Sequence, residues 1–300
     1  MLPLSKTYSK GNQMGDIPRR KLDELFFIYE MHPELRDVFV EGAFDSAIVK
    51  WFLQVCCIRS VGVYEISTVE LPDGDIIMSG RKANNRERVV LLAKLLAERF
   101  PNQATCLVDA DFSYLTRQFE QCAVLLYTDY ASMEMYFFQA DVIGKFVTIC
   151  CQRGDWPVDK IMQSLTIVLQ ELFLYRFANE ELRWEMDWLD RVVCLEISGW
   201  DLEFDGDQFI LRFLNKNAKA GNTQEFIAKI DSLRPLLQAD PRYQMHGHDF
   251  LEVLAWYVRN RGVSGERTKP ENIQSALALS INYQDLKAEQ LFSRLLERLT

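Results

Sequence analysis

The sequence predicts an α/β fold in which a parallel sheet, with helices on both faces, is followed by a mainly helical region with a small β-hairpin. Short apolar segments alternate with helical patterns through the first half of the chain, as in proteins built from β-α-β units. Helical patterns dominate the second half, beyond a turn sequence at 154–157. The chain has 300 residues, of which 48% are hydrophobic and 26% charged, so we expect a sizeable apolar core.

Four strands and the helices between them are predicted in order from the first half. Apolar and β-branched residues mark the strands, which are predicted at 37–41, 61–69, 105–108 and 124–127. Apolar residues at helical spacing mark the helices, which are predicted at 18–31, 44–57, 86–100 and 132–151. Asp16 and Pro18 suit the start of the first helix, and Pro101 suits the end of the third.

The second half is predicted to hold helices and one hairpin. The helices are predicted at 158–189, 223–233, 247–261 and 271–299. The hairpin pairs 192–197 with 208–214 across the turn sequence Asp205-Gly206-Asp207. These changes of pattern divide the chain into an N-terminal helical segment at 1–35, an α/β domain at 36–154 and a mainly helical substrate or partner region at 155–300.

Charge and cysteine content narrow the function classes. The 34 Lys and Arg against 43 Asp and Glu give a net charge of −9, which excludes a uniformly basic nucleic-acid-binding surface but not a local basic patch. The seven cysteines form no Cys-x-x-Cys motif, which favours reduced cysteines in a cytoplasmic protein. The start of the chain has no signal-peptide pattern and no segment is apolar over about 18 residues, so we expect no membrane association.

Acidic side chains follow the predicted strands or open the next helices. One pair follows the first strand, a second pair the third strand, and a third pair the fourth strand. The carboxyl ends of parallel strands meet at one edge of a sheet, so we expect these side chains to converge. Carboxylate oxygens without His or Cys suit Mg²⁺ or Mn²⁺, ions that assist phosphoryl transfer. Asp109 and Asp111 are therefore predicted to converge on one cation, with Glu41 completing the site and Asp45, Asp129 and Glu134 as the neighbouring acidic side chains.

Each of these motifs has an ordinary alternative when taken alone. An Asp-x-Asp sequence is often a solvated turn, and Glu-Gly before a helix is often only a helix entrance. The segment 81–88 is a basic loop before the third helix. It either holds substrate phosphates, through Arg81, Lys82 and Arg86, or is simply solvated. His248 lies in a His-x-His-Asp sequence, which either positions substrate or forms a polar helix start.

The order of the acidic motifs resembles that of the TOPRIM domain, the metal-binding fold of topoisomerases and primases. The segments Phe-Val-Glu-Gly-Ala-Phe-Asp at 39–45 and Leu-Val-Asp-Ala-Asp at 107–111 carry this resemblance, which covers about 36–150. The segments 126–134 and 247–251 make the whole chain, more loosely, similar to a TOPRIM-like family formerly catalogued as a domain of unknown function. That family includes the AriB-type effectors of the PARIS anti-phage system and is related to the overcoming-lysogenization-defect nucleases.

The resemblance implies roles for individual residues. Glu41 would bind metal or act as an acid–base catalyst, Lys82 would be a second catalytic residue, and Asp109 and Asp111 would form the metal-binding pair. The chain departs from the TOPRIM pattern at Ser113, where a third acidic residue often stands. The resemblance adds Asp45, Asp129 and Glu134 to the metal site. For substrate binding it favours Lys82, beside Arg81 and Arg86 of the same loop, and His248.

The resemblance also implies a function. The chain would be a Mg²⁺- or Mn²⁺-dependent endonuclease that hydrolyses phosphodiester bonds, acting as a toxic effector of bacterial anti-phage defence. RNA such as tRNA is favoured over DNA as the substrate, an ABC-type ATPase sensor is the expected partner, and the active form is expected to be a homodimer. Two alternatives stay open: a non-catalytic TOPRIM-fold module that binds an ATPase or nucleic acid, and a DNA-nicking nuclease.

Overall fold

A parallel sheet forms the centre of the structure. The computed structural model describes residues 19–72, 84–189 and 193–300. The strands in these ranges are β1 (Arg20–Lys21), β2 (Asp37–Val40), β3 (Gly62–Glu65), β4 (Val69–Glu70), β5 (Ala104–Val108), β6 (Leu125–Tyr127), β7 (Leu195–Ser198) and β8 (Asp201–Phe204). Four of them form the parallel sheet in the spatial order β3–β2–β5–β6. The two central strands, β2 and β5, are buried along their whole length, which explains their continuous apolar sequences.

Helices cover both faces of this sheet and form most of the second half of the chain. They are α1 (Leu22–Met31), α2 (Ala43–Val55), α3 (Asn85–Arg99), α4 (Ser113–Thr116), α5 (Ala140–Lys145), α6 (Val158–Leu182), α7 (Gly206–Lys216), α8 (Thr223–Leu233), α9 (Gly247–Asn260), α10 (Pro270–Ser280), α11 (Tyr283–Ala288) and α12 (Gln290–Leu299). Val38 and Val40 belong to one apolar core and Phe39 to another, because alternate residues of a strand point to opposite faces. The fold is therefore mixed α/β, with a parallel sheet flanked by helices, as predicted. Within the described ranges, none of these helices is long and apolar enough to cross a membrane.

The C-terminal helices pack directly against the sheet and its neighbouring elements. The rings of Phe52 in α2 and Phe292 in α12 lie 4.7 Å apart, centre to centre. The rings of Phe138 and Phe250, the latter in α9, lie 5.3 Å apart. One apolar core therefore runs from the sheet into the helical region, across the boundary predicted at 154.

The predicted hairpin is wrong in its second strand. The structure pairs β7 with β8 across a tight turn at Gly199, whose φ of +59° is readily adopted by glycine. The segment 208–214 lies in α7 instead. The Asp205 carboxylate accepts a hydrogen bond from the Gln208 backbone N–H at 2.9 Å and so caps that helix. The sequence that suggested a hairpin turn is a helix start.

The long helix predicted at 132–151 is wrong as a single element. The structure forms a 3-10 helix at Met133–Phe137, then α5, then a π-helical turn at Phe146–Cys150. The Met133 backbone N–H donates to the Asp109 carboxylate at 3.0 Å, so the start of this segment is held against β5. A contact between distant parts of the chain therefore sets the local conformation.

The helix predicted at 271–299 is also divided, into α10, α11 and α12. The Asn282 side chain accepts a hydrogen bond from the Gln284 backbone N–H at 3.1 Å, which caps α11. The Asp129 carboxylate accepts a hydrogen bond from the Leu291 backbone N–H at 2.9 Å, which fixes the start of α12. Capping groups thus interrupt a segment whose apolar spacing alone is nearly continuous.

The other predicted elements are present with shifted ends. The strand predicted at 61–69 stops at Glu65, where a short 3-10 turn follows, and the helix predicted at 158–189 stops at Leu182. Arg183 ends that helix because its backbone adopts the left-handed conformation, with a φ of +52°. Such shifts are the usual difference between a sequence pattern and a folded element.

Candidate functional site

The carboxyl ends of β2 and β5 place Glu41 beside Asp109. Each residue is the first after its strand, and the two strands are neighbours in the sheet. Glu41 Oε1 accepts a hydrogen bond from the backbone N–H of Asp109 at 2.8 Å. The side-chain amide of Asn85, at the start of α3, donates to the Glu41 carbonyl oxygen at 2.9 Å. The two strand ends and the start of α3 therefore meet at one edge of the sheet.

Asp111 lies in a tight turn after β5. Its φ of +47° falls in the left-handed region, which few residues other than glycine adopt. Its backbone N–H donates to the carbonyl oxygen of Ala131 at 2.9 Å, which ties the turn to the loop after β6. Its Oδ2 lies 3.1 Å from Nε of Arg86, so the carboxylate forms an ion pair with α3.

Asp45 and Glu134 complete the acidic side of the site. Asp45 accepts a hydrogen bond from the Gly42 backbone N–H at 3.1 Å and so caps α2. Glu134 is only 8% exposed, and its Oε1 accepts a hydrogen bond from Nε2 of Gln274 in α10 at 2.9 Å. We call Glu41, Asp45, Asp109, Asp111 and Glu134 the carboxylate cluster. Its members come from the sheet edge, from α2 and from the segment after β6.

Gly247, the first residue of α9, lies against the Glu134 carboxylate. A Cβ atom added to this glycine would overlap the Glu134 carboxylate and lie 2.6 Å from the Ser132 hydroxyl. Only glycine permits this close approach without displacement of the neighbouring groups. The N-terminal end of α9 also carries a partial positive charge, which favours the carboxylate beside it. The helical region therefore forms one wall of the carboxylate cluster.

Arg86 is the cation closest to the cluster among the residues that the structure describes. Besides its ion pair with Asp111, its Nε donates to the carbonyl oxygen of Asp109 at 3.4 Å. Its Nη1 lies 3.1 Å from a carboxylate oxygen of Glu87. Asn84 begins α3 by accepting a hydrogen bond from the Glu87 backbone N–H, and this capped start directs Arg86 toward the sheet edge.

Burial and mutual repulsion raise the pKa values of the carboxylate cluster. Burial, with the charge of Asp111, raises the pKa of Glu41 to about 8. Burial, with the charge of Glu134, raises the pKa of Asp45 to about 7. Burial raises the pKa of Asp111 to about 6, although Arg86 opposes the shift. Burial and the charge of Glu41 raise the pKa of Asp109 well above its usual range. The site therefore concentrates more negative charge than its surroundings neutralise.

The donor chemistry of the cluster fits a hard divalent cation. All of its side-chain donors are carboxylate oxygens, which Mg²⁺ and Mn²⁺ prefer, and a cation would relieve their repulsion. Within residues 19–72, 84–189 and 193–300, however, no three such side chains already form a ligand set. Each carboxylate instead contacts a protein donor, as described above. Each of these contacts uses one oxygen of its carboxylate, so the second oxygen can still bind a cation.

Asp129, which is also among the predicted metal ligands, makes its described contacts with residues outside the cluster. Its Oδ2 accepts a hydrogen bond from the Tyr136 hydroxyl at 2.9 Å, and the same oxygen accepts the Leu291 backbone N–H. No contact between Asp129 and the cluster is among those that the described residues show. The structure thus gives this carboxylate a role in anchoring α12.

The residues predicted to bind substrate, apart from Arg86, are not among those that the structure describes at the carboxylate cluster. His248 is exposed on α9, one residue after Gly247, and its ring lies 5.6 Å from that of His246. Asp249, which follows it, is buried and forms an ion pair with Arg176 at 2.6 Å. The adjacent residues thus fix the helix start while His248 faces outward. The predicted Arg81 and Lys82 lie outside the described residues.

Sequence reasoning missed two contributors to the site. Gln274 approaches Glu134 from 140 positions along the chain, and no local signal marks it. Gly247 lies in the segment 247–251, in which a functional role was predicted only for His248. A glycine at the first position of an apolar helix was the available signal, since it permits a close approach of backbone to a neighbouring group.

Replacement of Gly247 by alanine tests the close packing around Glu134. We expect Gly247→Ala to lower the free energy of unfolding by about 1–3 kcal/mol, because the added methyl group overlaps a buried carboxylate. Urea unfolding followed by circular dichroism measures this change. Gly221→Ala is the matched control, since nothing lies within 4 Å of its added Cβ. Equal stability of the two variants would contradict the described packing.

The raised pKa values predict how stability depends on pH in the absence of metal. The folded state holds protons on Glu41 and Asp45 that the unfolded chain releases, because their pKa values lie at about 8 and 7 in the folded protein. The free energy of unfolding should therefore fall as the pH rises from about 5 to about 8. Melting temperatures measured in EDTA across this range test the prediction.

The variant Glu41→Gln serves as the comparison for that pH series. Glutamine resembles the protonated side chain and cannot release a proton, so the decrease in melting temperature between pH 6 and 8 should be smaller than in the wild type. In the wild type, Mg²⁺ should raise the melting temperature more at pH 8 than at pH 6, because ionised carboxylates bind it better. Parallel pH profiles for the two proteins would show that Glu41 does not titrate in this range.

Comparisons with known proteins add no family to this description. No protein-family model matches the chain, and no curated protein matches it. Function is therefore inferred from the carboxylate cluster and from the resemblance of its motifs.

Proposed function

We propose that the protein is a metal-dependent nuclease of the TOPRIM type that hydrolyses phosphodiester bonds with Mg²⁺ or Mn²⁺. The observation that carries this proposal is the carboxylate cluster at the carboxyl ends of β2 and β5. This edge of an open parallel sheet is where such folds bind their ligands. A structural role alone would give no reason to bring five carboxylates together at a partly buried sheet edge, since their charges repel and destabilise the metal-free fold.

Three residues of the cluster would hold the cation. Glu41, Asp109 and Asp111 would be its ligands, as the TOPRIM resemblance implies, while Asp45 and Glu134 would supply further negative charge beside it. When bound, a divalent cation would polarise a phosphate oxygen and favour the ionised form of an attacking water. The pKa of Glu41 is about 8 in the metal-free protein, and a bound cation would favour its ionised form, the form in which the side chain would bind the cation or accept a proton.

Arg86 would bind the substrate phosphate. Its guanidinium lies at the start of α3, where backbone N–H groups and the helix dipole also favour an anion. It now pairs with Asp111, which would be free to bind metal once Arg86 contacts a phosphate oxygen. The exchange of partners by Arg86 would thus couple substrate binding to completion of the metal site.

The resemblance extends the proposal to a biological setting. We infer a toxic effector of anti-phage defence that cuts RNA such as tRNA, is controlled by an ABC-type ATPase and acts as a homodimer in the cytoplasm. A net charge of −9 supports a small target over long contact with a duplex, because binding to duplex DNA depends on many phosphate contacts. These finer statements rest on the motifs at 39–45, 107–111, 126–134 and 247–251.

A non-catalytic binding module is the second candidate. It is favoured by the finding that, among the described residues, the carboxylates contact protein donors and no three form a ligand set. A nuclease held in a silent state would show the same contacts. The two candidates differ in whether metal produces cleavage, which a direct assay decides.

A cleavage assay with three substrates tests the nuclease. Purified protein is incubated with tRNA, plasmid DNA or single-stranded DNA in Mg²⁺, Mn²⁺ or EDTA, and products are resolved on denaturing gels. We expect metal-dependent cleavage of tRNA, with a rate about a hundredfold or more lower in Glu41→Gln, because loss of an acid–base group has effects of this size. Nicked plasmid instead of cut tRNA would indicate the DNA-nicking alternative.

Glu181→Gln is the matched control for that assay. Glu181 is exposed near the end of α6 and loses the same charge on substitution, so its activity should equal the wild type. Unchanged activity in Glu41→Gln would remove Glu41 from the site. If no substrate is cut, the assay is repeated with an ABC-type ATPase partner and ATP, and continued absence of cleavage would favour the binding module.

A further inference from the structure

A cavity of about 310 Å³ lies along β6, between the segment 119–122 and the first half of α12. We call it the edge cavity, because β6 is the last strand of the parallel sheet. We propose that the edge cavity binds one unstacked base of a single-stranded nucleic acid, with Arg294 at its rim on an adjacent phosphate. This inference rests on the proposed nuclease function and identifies part of its substrate-binding surface.

Aromatic rings form the walls of the edge cavity. The rings of Tyr114 and Phe119 lie 5.2 Å apart and those of Phe119 and Tyr127 lie 5.0 Å apart, in both cases edge to face. The Tyr114 hydroxyl donates to the Thr128 carbonyl oxygen, and the Tyr127 hydroxyl accepts the Glu120 backbone N–H, both at 2.9 Å. These bonds fix the rings of Tyr114 and Tyr127, and all three aromatic side chains remain partly exposed. Fixed aromatic rings at a cavity wall suit stacking with a base.

Carboxylates in the same walls decide which part of a nucleotide can enter. Asp129 and Glu120 both line the edge cavity. The Glu120 carboxylate forms an ion pair with Lys94 at 2.9 Å, and the Asp129 carboxylate accepts hydrogen bonds from Tyr136 and Leu291. The remaining lone pairs of these oxygens can accept hydrogen bonds from the amino and imino groups of a base but repel a phosphate. The chemistry of the walls therefore favours the base over the phosphate as the group that enters.

Arg294 supplies the positive charge for the phosphate. It is exposed on α12 and lines the edge cavity, and no hydrogen bond or ion pair to it is found among the described residues. Arg298, one turn further along the same helix, instead donates to Thr105 Oγ1 and to backbone carbonyl oxygens at 2.8–3.0 Å. The two arginines thus differ: Arg298 anchors α12, and Arg294 is available to an outside anion.

The position of the edge cavity relates it to the carboxylate cluster. Tyr127 lies opposite Val108 in the pairing of β6 with β5, and Thr128 Oγ1 accepts the Ala110 backbone N–H at 2.9 Å. The end of β6 is therefore one strand, or roughly 5 Å, from the end of β5, where Asp109 stands. A base in the edge cavity would place the neighbouring phosphodiester toward the carboxylate cluster. A duplex could not do this, since its bases are stacked and paired.

Binding of a labelled oligonucleotide in EDTA tests the proposal without cleavage. The probe is a fluorescein-labelled single-stranded RNA of mixed sequence, with a single-stranded DNA and an RNA duplex of the same sequence as separate arms. We expect Arg294→Gln and Phe119→Leu each to weaken single-strand binding by about fivefold or more, in line with the usual effect of losing a base stack or a charged phosphate contact. Duplex binding should be equal in the variants and the wild type.

Lys287→Gln is the matched control, because this exposed lysine in α11 loses the same charge as Arg294 without lining the edge cavity. Phe119→Leu is accepted only if its melting temperature matches the wild type, whereas Arg294→Gln alters an exposed side chain. Wild-type affinity in Arg294→Gln, or no measurable binding of either single strand, would overturn the proposal. If the variants bind single strands more weakly but the wild type cleaves no substrate under any condition, the edge cavity binds a base and the protein is not a nuclease. The two proposals can therefore fail separately.

Discussion

Repulsion among partly buried carboxylates is the constraint on which the rest of the site depends. Parallel pairing of β2 with β5 brings Glu41 and Asp109 to one edge, and the turn after β5 adds Asp111. Burial weakens the screening of these charges by water, so their pKa values rise and the ionised cluster destabilises the metal-free protein. A bound cation would relieve this repulsion and stabilise the fold, and the proposed function follows from that stabilisation.

The helical region is part of the same arrangement. Gly247 and Gln274 hold Glu134 from α9 and α10, while Asp129 fixes the start of α12 beside the last strand of the sheet. The apolar core that joins these helices to the sheet makes their positions interdependent. A partner that shifted α10 would release Glu134 from Gln274, so the contacts offer a physical route by which an ATPase could control the cluster.

The sheet and its acidic edge could be predicted from the sequence, because both depend on local signals. Buried strands are continuous apolar runs, and the residues that follow them are fixed by covalent succession, so Glu41 and Asp109 could be placed from sequence alone. Asp129 follows a strand in the same way, yet its carboxylate faces the start of α12, which no local pattern reveals. The helix breaks at 132–151 and 271–299 likewise depend on contacts between distant residues. The second strand of the hairpin was wrong because Asp205 and Gly206 suit a helix start as well as a turn.

The central claim is that the carboxylate cluster binds a divalent cation, and a Mn²⁺ titration followed by electron paramagnetic resonance tests it most directly. The signal of free Mn²⁺ decreases as the ion binds, so the assay does not depend on a substrate or a partner. At pH 8 the account predicts saturable binding that is lost in Asp109→Asn and kept in Glu181→Gln. Absence of binding by the wild type, or equal binding by Asp109→Asn, would contradict it.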